Sequence, residues 1–218
     1  MTTTKLSIVI LCLGLLLSGC NKQPEKLTLE SAMLLPGGKQ LNDFNLIHFG
    51  QGEFTLDSIK DDWSLFFFGY TRCPDVCPTE LFTLAEMMNK IEANPAAVKA
   101  VPQVVFVSVD PQQDSPEALQ KYAGYYHKSF KGVTGEQEEV NKLAAHIGIF
   151  HERVYHLNGK VLVLQDDQIP AGLENSYLVN HSATIILTNP EGNMHAVFSA
   201  PHDPEVMIRD LAAIQQAW

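Results

Sequence analysis

The densest apolar run in the chain is WSLFFFGY, residues 63–70, set between Asp61-Asp62 and Thr71-Arg72. A run this short and rich, without polar alternation, predicts a strand buried on both faces. Beyond it, Leu81, Leu84, Ala85, Met88 and Ile91 recur at helical spacing until Asn94-Pro95, and Pro78 suits the first helical position. Residues 104–109 predict a second buried strand, closed by Asp110-Pro111. Ser115-Pro116-Glu117 then opens a helix with Leu119, Tyr122, Ala123 and Tyr126 on one face, and Val140, Leu143, Ala144 and Ile147 mark another. Residues 155–164 and 183–187 read as strands, and Asn189-Pro190-Glu191-Gly192 turns the chain into a strand at 194–198. Asp203-Pro204 starts a last helix, and Gly50 and Gly52 between short apolar stretches predict a β-hairpin within 41–56.

The order is hairpin, β, α, β, α, α, then antiparallel strands and a closing helix. Alternating β and α units imply parallel strands with helices on both faces, and the late hairpin implies antiparallel edges. The expectation is one α/β domain over residues 41–218, a mixed sheet flanked by helices and entered through an N-terminal hairpin.

The first residues carry a different signal. Lys5 precedes an apolar run at 6–17, followed by Leu17-Ser18-Gly19-Cys20. That is the form of a secretory signal peptide over residues 1–19, and the run is shorter than the roughly 20 apolar residues of a membrane span. LSGC also resembles a bacterial lipobox, which makes Cys20 the acylated first residue after cleavage. Residues 20–40 then form a lipid-anchored tether, held by more than one acyl chain. The domain is expected to be exported, facing the periplasm or the cell exterior.

Charge narrows the partners. Fifteen Lys and Arg against 25 Asp and Glu give a net charge of −10. An acidic surface with no basic stripe argues against nucleic-acid binding.

Of the four cysteines, Cys12 leaves with the signal and Cys20 carries lipid, so Cys73 and Cys77 are the thiols of the domain. They lie between a buried strand and a helix, with Cys77 expected at or near the N-cap, where the helix dipole favours a thiolate. A disulfide closing so short a loop removes little unfolded-state entropy, so a passive staple explains them poorly. A redox couple remains, and so does a metal site. Zinc in a structural site asks for four ligands, whereas Cu(I) accepts two or three soft donors. Eight histidines are available for a third ligand: His48, His127, His146, His151, His156, His181, His195 and His202. Most read as surface or capping residues, whereas His181 stands directly before a buried strand. Met87, Met88 and Met194 fall at helix or strand spacing and read as core.

Three stretches, FFFGYTRCPDVCPTEL, VFVSVDP and NHSATIILTNPEG, occur in an order and spacing that resembles the Sco/SenC family. The resemblance runs from about Phe44 to the C-terminus. It implies a thioredoxin-like fold, a membrane tether and a copper metallochaperone that helps assemble the CuA centre of cytochrome c oxidase. The implied partners are the copper-bearing subunit of that oxidase, with copper donor and thiol reductant proteins. It also implies Cys73, Cys77 and His181 as copper ligands, as Cu(I), Cu(II) or both, and Asp110 as a residue that aids docking or tunes the site. One departure stands out: Asn180 precedes the histidine where the family commonly has Asp, removing a charge that could support the imidazole. The alternative function is a thiol-disulfide reductase acting on the oxidase or another exported protein, for which Cys73 and Cys77 suffice.

Overall fold

A computed structural model describes residues 27–164 and 168–218. The expected signal segment 1–19, with Cys12, and the expected lipidation site Cys20 lie outside the described residues.

The apolar run becomes β4 (Ser64–Gly69), and all six of its residues are buried. It pairs in parallel with β5 (Gln103–Ser108), which pairs in parallel with β6 (Lys131–Thr134). On its other side lies β10 (Ile185–Thr188), antiparallel, followed by β11 (Asn193–Phe198). The hairpin β2 (Asn45–His48) and β3 (Gly52–Thr55) forms through the glycine turn and docks beside β6. With β1 (Ala32–Gln40) at one edge, the eight-stranded order is β1-β11-β10-β4-β5-β6-β2-β3. The late antiparallel strands therefore abut the centre of the sheet instead of only trimming its edge.

Among the described residues, four α-helices accompany the sheet: α1 (Val76–Ala93), α2 (Pro116–Tyr126), α3 (Gln137–Ile147) and α4 (Pro204–Ala217). Ser115 caps α2, and Asp203 caps α4 by accepting the amides of Glu205 and Val206. The apolar stripe of α1 is buried, with Met87 and Met88, and Met194 of β11, in the core.

Two regions differ from expectation. Residues 32–40, assigned by sequence to the tether, are strand β1 (Ala32–Gln40), which pairs with β11 along a register interrupted between Leu34 and Lys39. The segment before it is also fastened: the amides of Glu30, Ser31 and Ala32 and the Ser31 hydroxyl donate to the buried Asp210 carboxylate of α4. Burial would raise that carboxyl, but these donors outweigh it and hold it below its ordinary value. The second region is 151–181. Instead of one strand at 155–164, it holds β7 (His151–Leu157), β8 (Lys160–Leu162) and β9 (Leu178–His181), a separate three-stranded sheet in the order β8-β7-β9.

Candidate metal centre

The cysteines leave the end of β4 in a turn closed by the Cys73 amide on the Tyr70 carbonyl. Helix α1 starts at Val76 with Asp75 as N-cap, two residues earlier than Pro78 suggested. That shift changes the roles of the two thiols. Cys77 falls inside the first turn and faces the core with no exposed surface, while the Cys73 sulfur lies at the helix end and accepts the Cys77 amide at 3.4 Å. The helix N-terminus therefore serves Cys73, not Cys77 as the sequence suggested.

The electrostatics follow. A hydrogen bond from Cys77 pulls the Cys73 thiol down to about 3; partial burial opposes this, and the amides of Asp75 and Cys77 assist. Burial, then the neighbouring Cys73 sulfur, push Cys77 far up. These opposite shifts favour the thiolate at Cys73 and the thiol at Cys77. Gly69 makes room for it: a Cβ there would sit 2.5 Å from the Cys77 sulfur and 2.8 Å from the Phe106 ring.

His181 ends β9, across from His151 on β7. Its Nε2 lies 3.2 Å from the Cys77 sulfur and 3.8 Å from that of Cys73. Nδ1 lies 3.1 Å from the Ser182 carbonyl, a bond in which the ring nitrogen donates, so Nε2 keeps its lone pair for the sulfurs. The ring stands edge-on to Phe67 and Tyr70. The two Sγ atoms and the imidazole nitrogen lie within 4.8 Å of one another, and among the described residues no other group of three or more His, Cys, Asp or Glu side chains is gathered closely enough to hold a metal ion. Cys77 closes the inner side, while Cys73 and His181 are half-buried and border a cleft shared with Tyr70, Pro74, Asp75 and Asn180.

The other histidines have local roles. His48 bonds Gln120, His127 bonds Ser129, His146 reaches the Gln40 carbonyl, His195 packs edge-on against Trp63, and His202 pairs with Glu80. His151 faces His181 across the ladder, and burial lowers its pKa. His156 is exposed.

Asn180 and Asp110 diverge. Asn180 is exposed and alternates away from its neighbours along β9, while Nδ1 of His181 is engaged by the Ser182 carbonyl. The support expected of position 180 thus comes from the backbone. Asp110 has no exposed surface and offers nothing to a docking partner. Its carboxylate accepts the Tyr177 hydroxyl at 2.7 Å and faces the guanidiniums of Arg72 and Arg153 at 3.5 and 3.7 Å. Neighbouring Asp114 accepts from Thr71 and Ser108, pinning the start of the cysteine loop. Sequence reasoning missed Tyr177, Arg72 and Arg153. For Arg72 and Tyr177 the only signal was proximity in sequence to Cys73 and His181; Arg153, on β7, had none.

The model of the SCO1/SenC family matches residues 36–216. The chain belongs to this family. Among its relatives, an SCO2-like protein of Rickettsia conorii is 30% identical, over 78% of this chain and 74% of that one. The chain spans only 42% of the mitochondrial SCO1 homolog 1 of Arabidopsis thaliana and 60% of the mouse SCO2 homolog. Of the solved structures, apo Sco1 of Thermus thermophilus is 34% identical with a TM-score of 0.66, covering 88% of this chain and 99% of that one. Arabidopsis thaliana ScoI with copper bound is 26% identical with a TM-score of 0.68, covering 81% and 98%. The mixed sheet flanked by helices is the thioredoxin-like α/β fold of the family.

Proposed function

We propose that this chain is a copper metallochaperone, binding one copper ion through Cys73 Sγ, Cys77 Sγ and His181 Nε2. The carrying observation is the convergence of these three atoms within 4.8 Å. Two thiolates and an imidazole form a soft set suited to copper and short of the four ligands of structural zinc. Similarity to a protein solved with copper bound supports the choice of metal. With the thiolate form favoured at Cys73, loading requires chiefly that Cys77 release its proton. Cys77 anchors the ion from within, while Cys73 and His181 stand at the open side, where an acceptor's ligands can replace them one at a time. The recipient is the copper-bearing subunit of cytochrome c oxidase, in line with a family described as cytochrome c oxidase assembly proteins. Residues 1–19 act as the export signal and lipidated Cys20 as the membrane anchor. No helix among the described residues is long and apolar enough to cross a membrane.

The test is an anaerobic Cu(I) titration of reduced residues 21–218 against a competing chelator, beside His181→Ala. One tight copper per chain, weakened at least tenfold by the substitution, is expected. Equal affinity in both proteins would remove His181 from the site and sink the three-ligand reading.

The split between the thiols favours one second reading, disulfide reduction. The accessible Cys73 thiolate would attack a target disulfide, forming a mixed disulfide and releasing one target thiolate. Cys77 would then lose its proton, with His181 Nε2 at 3.2 Å as acceptor, and attack Cys73 to release the second. Two electrons pass to the target, and the Cys73–Cys77 disulfide remains. In the same pair of proteins, exchange with a model disulfide that survives His181→Ala would assign the thiols a role independent of copper.

A further inference from the structure

The ligands come from separate hydrogen-bonded sheets: the cysteines follow β4 of the large sheet, and His181 ends β9 of the small one. No backbone ladder among the described residues joins the two. Covalently, β9 connects to β10 through residues 182–184, and β7 connects to α3 through residues 148–150. The remaining registration falls to side chains, and these concentrate at one place.

Asp110 follows β5 and is a carboxylate with no exposed surface. A buried charge costs several kcal/mol unless compensated, and here compensation comes from both sides of the seam. Arg72 precedes Cys73 in its loop, Arg153 lies on β7, and Tyr177 immediately precedes β9. Arg72 and Arg153 lie 5.4 and 4.8 Å from the centroid of the Tyr177 ring, and the hydroxyl of that ring donates to Asp110 Oδ1 at 2.7 Å. The phenol is oriented by two cations and secured by one anion. Burial first, then Asp110, raise its pKa to about 12, so it remains a donor at neutral pH. Two lighter bonds run alongside: the Val179 amide to the Tyr70 hydroxyl and Arg72 to the Asn175 carbonyl.

We propose that Tyr177 and Asp110 form a latch that registers β9 against the cysteine loop, making both positioning residues for the His181 imidazole. The proposal rests on the reading of Cys73, Cys77 and His181 as one copper site. The physical reason is leverage: Tyr177 is four residues from His181 on an extended segment, so a shift at the phenol passes along a stiff strand to the imidazole. Groups that orient metal ligands typically affect affinity by 10–100-fold when removed.

The decisive variant is Tyr177→Phe in the full-length chain. It keeps the ring and both cation contacts and removes only the hydroxyl. In the metal-free, reduced protein, amide exchange of residues 178–181 should accelerate at least tenfold while β4, β5 and β10 keep their protection. With copper, affinity for Cu(I) should fall about tenfold, and the sulfur-to-Cu(II) absorption band and the imidazole nitrogen coupling in the EPR spectrum should shift. Asp110→Asn should act in the same direction, and the double variant should lose no more than the worse single one. Unchanged exchange at 178–181 together with unchanged copper spectra would overturn the latch. Acceleration spread evenly over both sheets would also overturn it, making Tyr177 a general stabiliser. If the parent binds no copper while 178–181 still respond selectively, the copper reading fails and the latch stands.

Discussion

The two sheets contribute to one site by opposite means. In the large sheet, β4 is flanked on both sides by hydrogen-bonded strands and buried throughout, so the cysteine loop starts from a fixed edge. In the small sheet, β8 is exposed along its length, and β9 has the burial pattern of a half-covered strand. The thiols are held by the core; the imidazole is held by hydrogen bonds at its own Nδ1 and along the seam. A site that must grip and release a metal benefits from this asymmetry, because the ligand easiest to displace sits on the less supported element.

The strongest way to break the contrast is at Gly69. Gly69→Ala places a methyl 2.5 Å from the Cys77 sulfur and 2.8 Å from Phe106, neither of which has free space to retreat into. Overpacking of this kind costs about 1–3 kcal/mol. Denaturant unfolding should show that loss, and copper titration should show a damaged site with β9 untouched.

A gentler probe compares the thiols. Because the Cys73 thiol titrates near 3 and Cys77 is driven upward, iodoacetamide should modify Cys73 first, at a rate nearly flat from about pH 5 upward. Cys77 should react only after unfolding. Mass spectrometry of partly alkylated protein checks the order; preferential labelling of Cys77 would reverse the assignment of anchor and exchangeable ligand.

The smallest expected effect is at position 180. Asn180→Asp restores the residue common in the family, but the side chain is exposed and Nδ1 already bonds the Ser182 carbonyl. Copper affinity should change less than about threefold, within the range of a screened surface charge. A tenfold gain would mean that residue 180 does reach the imidazole.

How far the sequence was legible follows the same division. Strands β4 and β5, helices α1 and α2 and the hairpin were readable because their signals are local: dense apolar runs, helical spacing, Ser-Pro and Gly punctuation. Strand β1 was not, since Pro36-Gly37-Gly38 reads as a break and its strand character comes from pairing with β11. Strand β6 has four residues around Gly132, where a Cβ would strike the Leu119 carbonyl of α2, so packing defines it. Strand β9, LVNH, is likewise too short to announce itself.

By itself the sequence determined the chemistry: two thiols four residues apart at a strand-to-helix junction, a histidine before a later buried strand, and the motifs that mark the family. Those are properties of residue identity and spacing along one chain. Only the tertiary structure decided which thiol is buried, which nitrogen of His181 faces the sulfurs, and that Asp110 works with Tyr177 and two arginines. These depend on a two-residue difference in where α1 starts and on contacts between segments up to 108 positions apart. Electrostatics and burial act through space, so the sequence supplied the groups and the fold assigned them their roles.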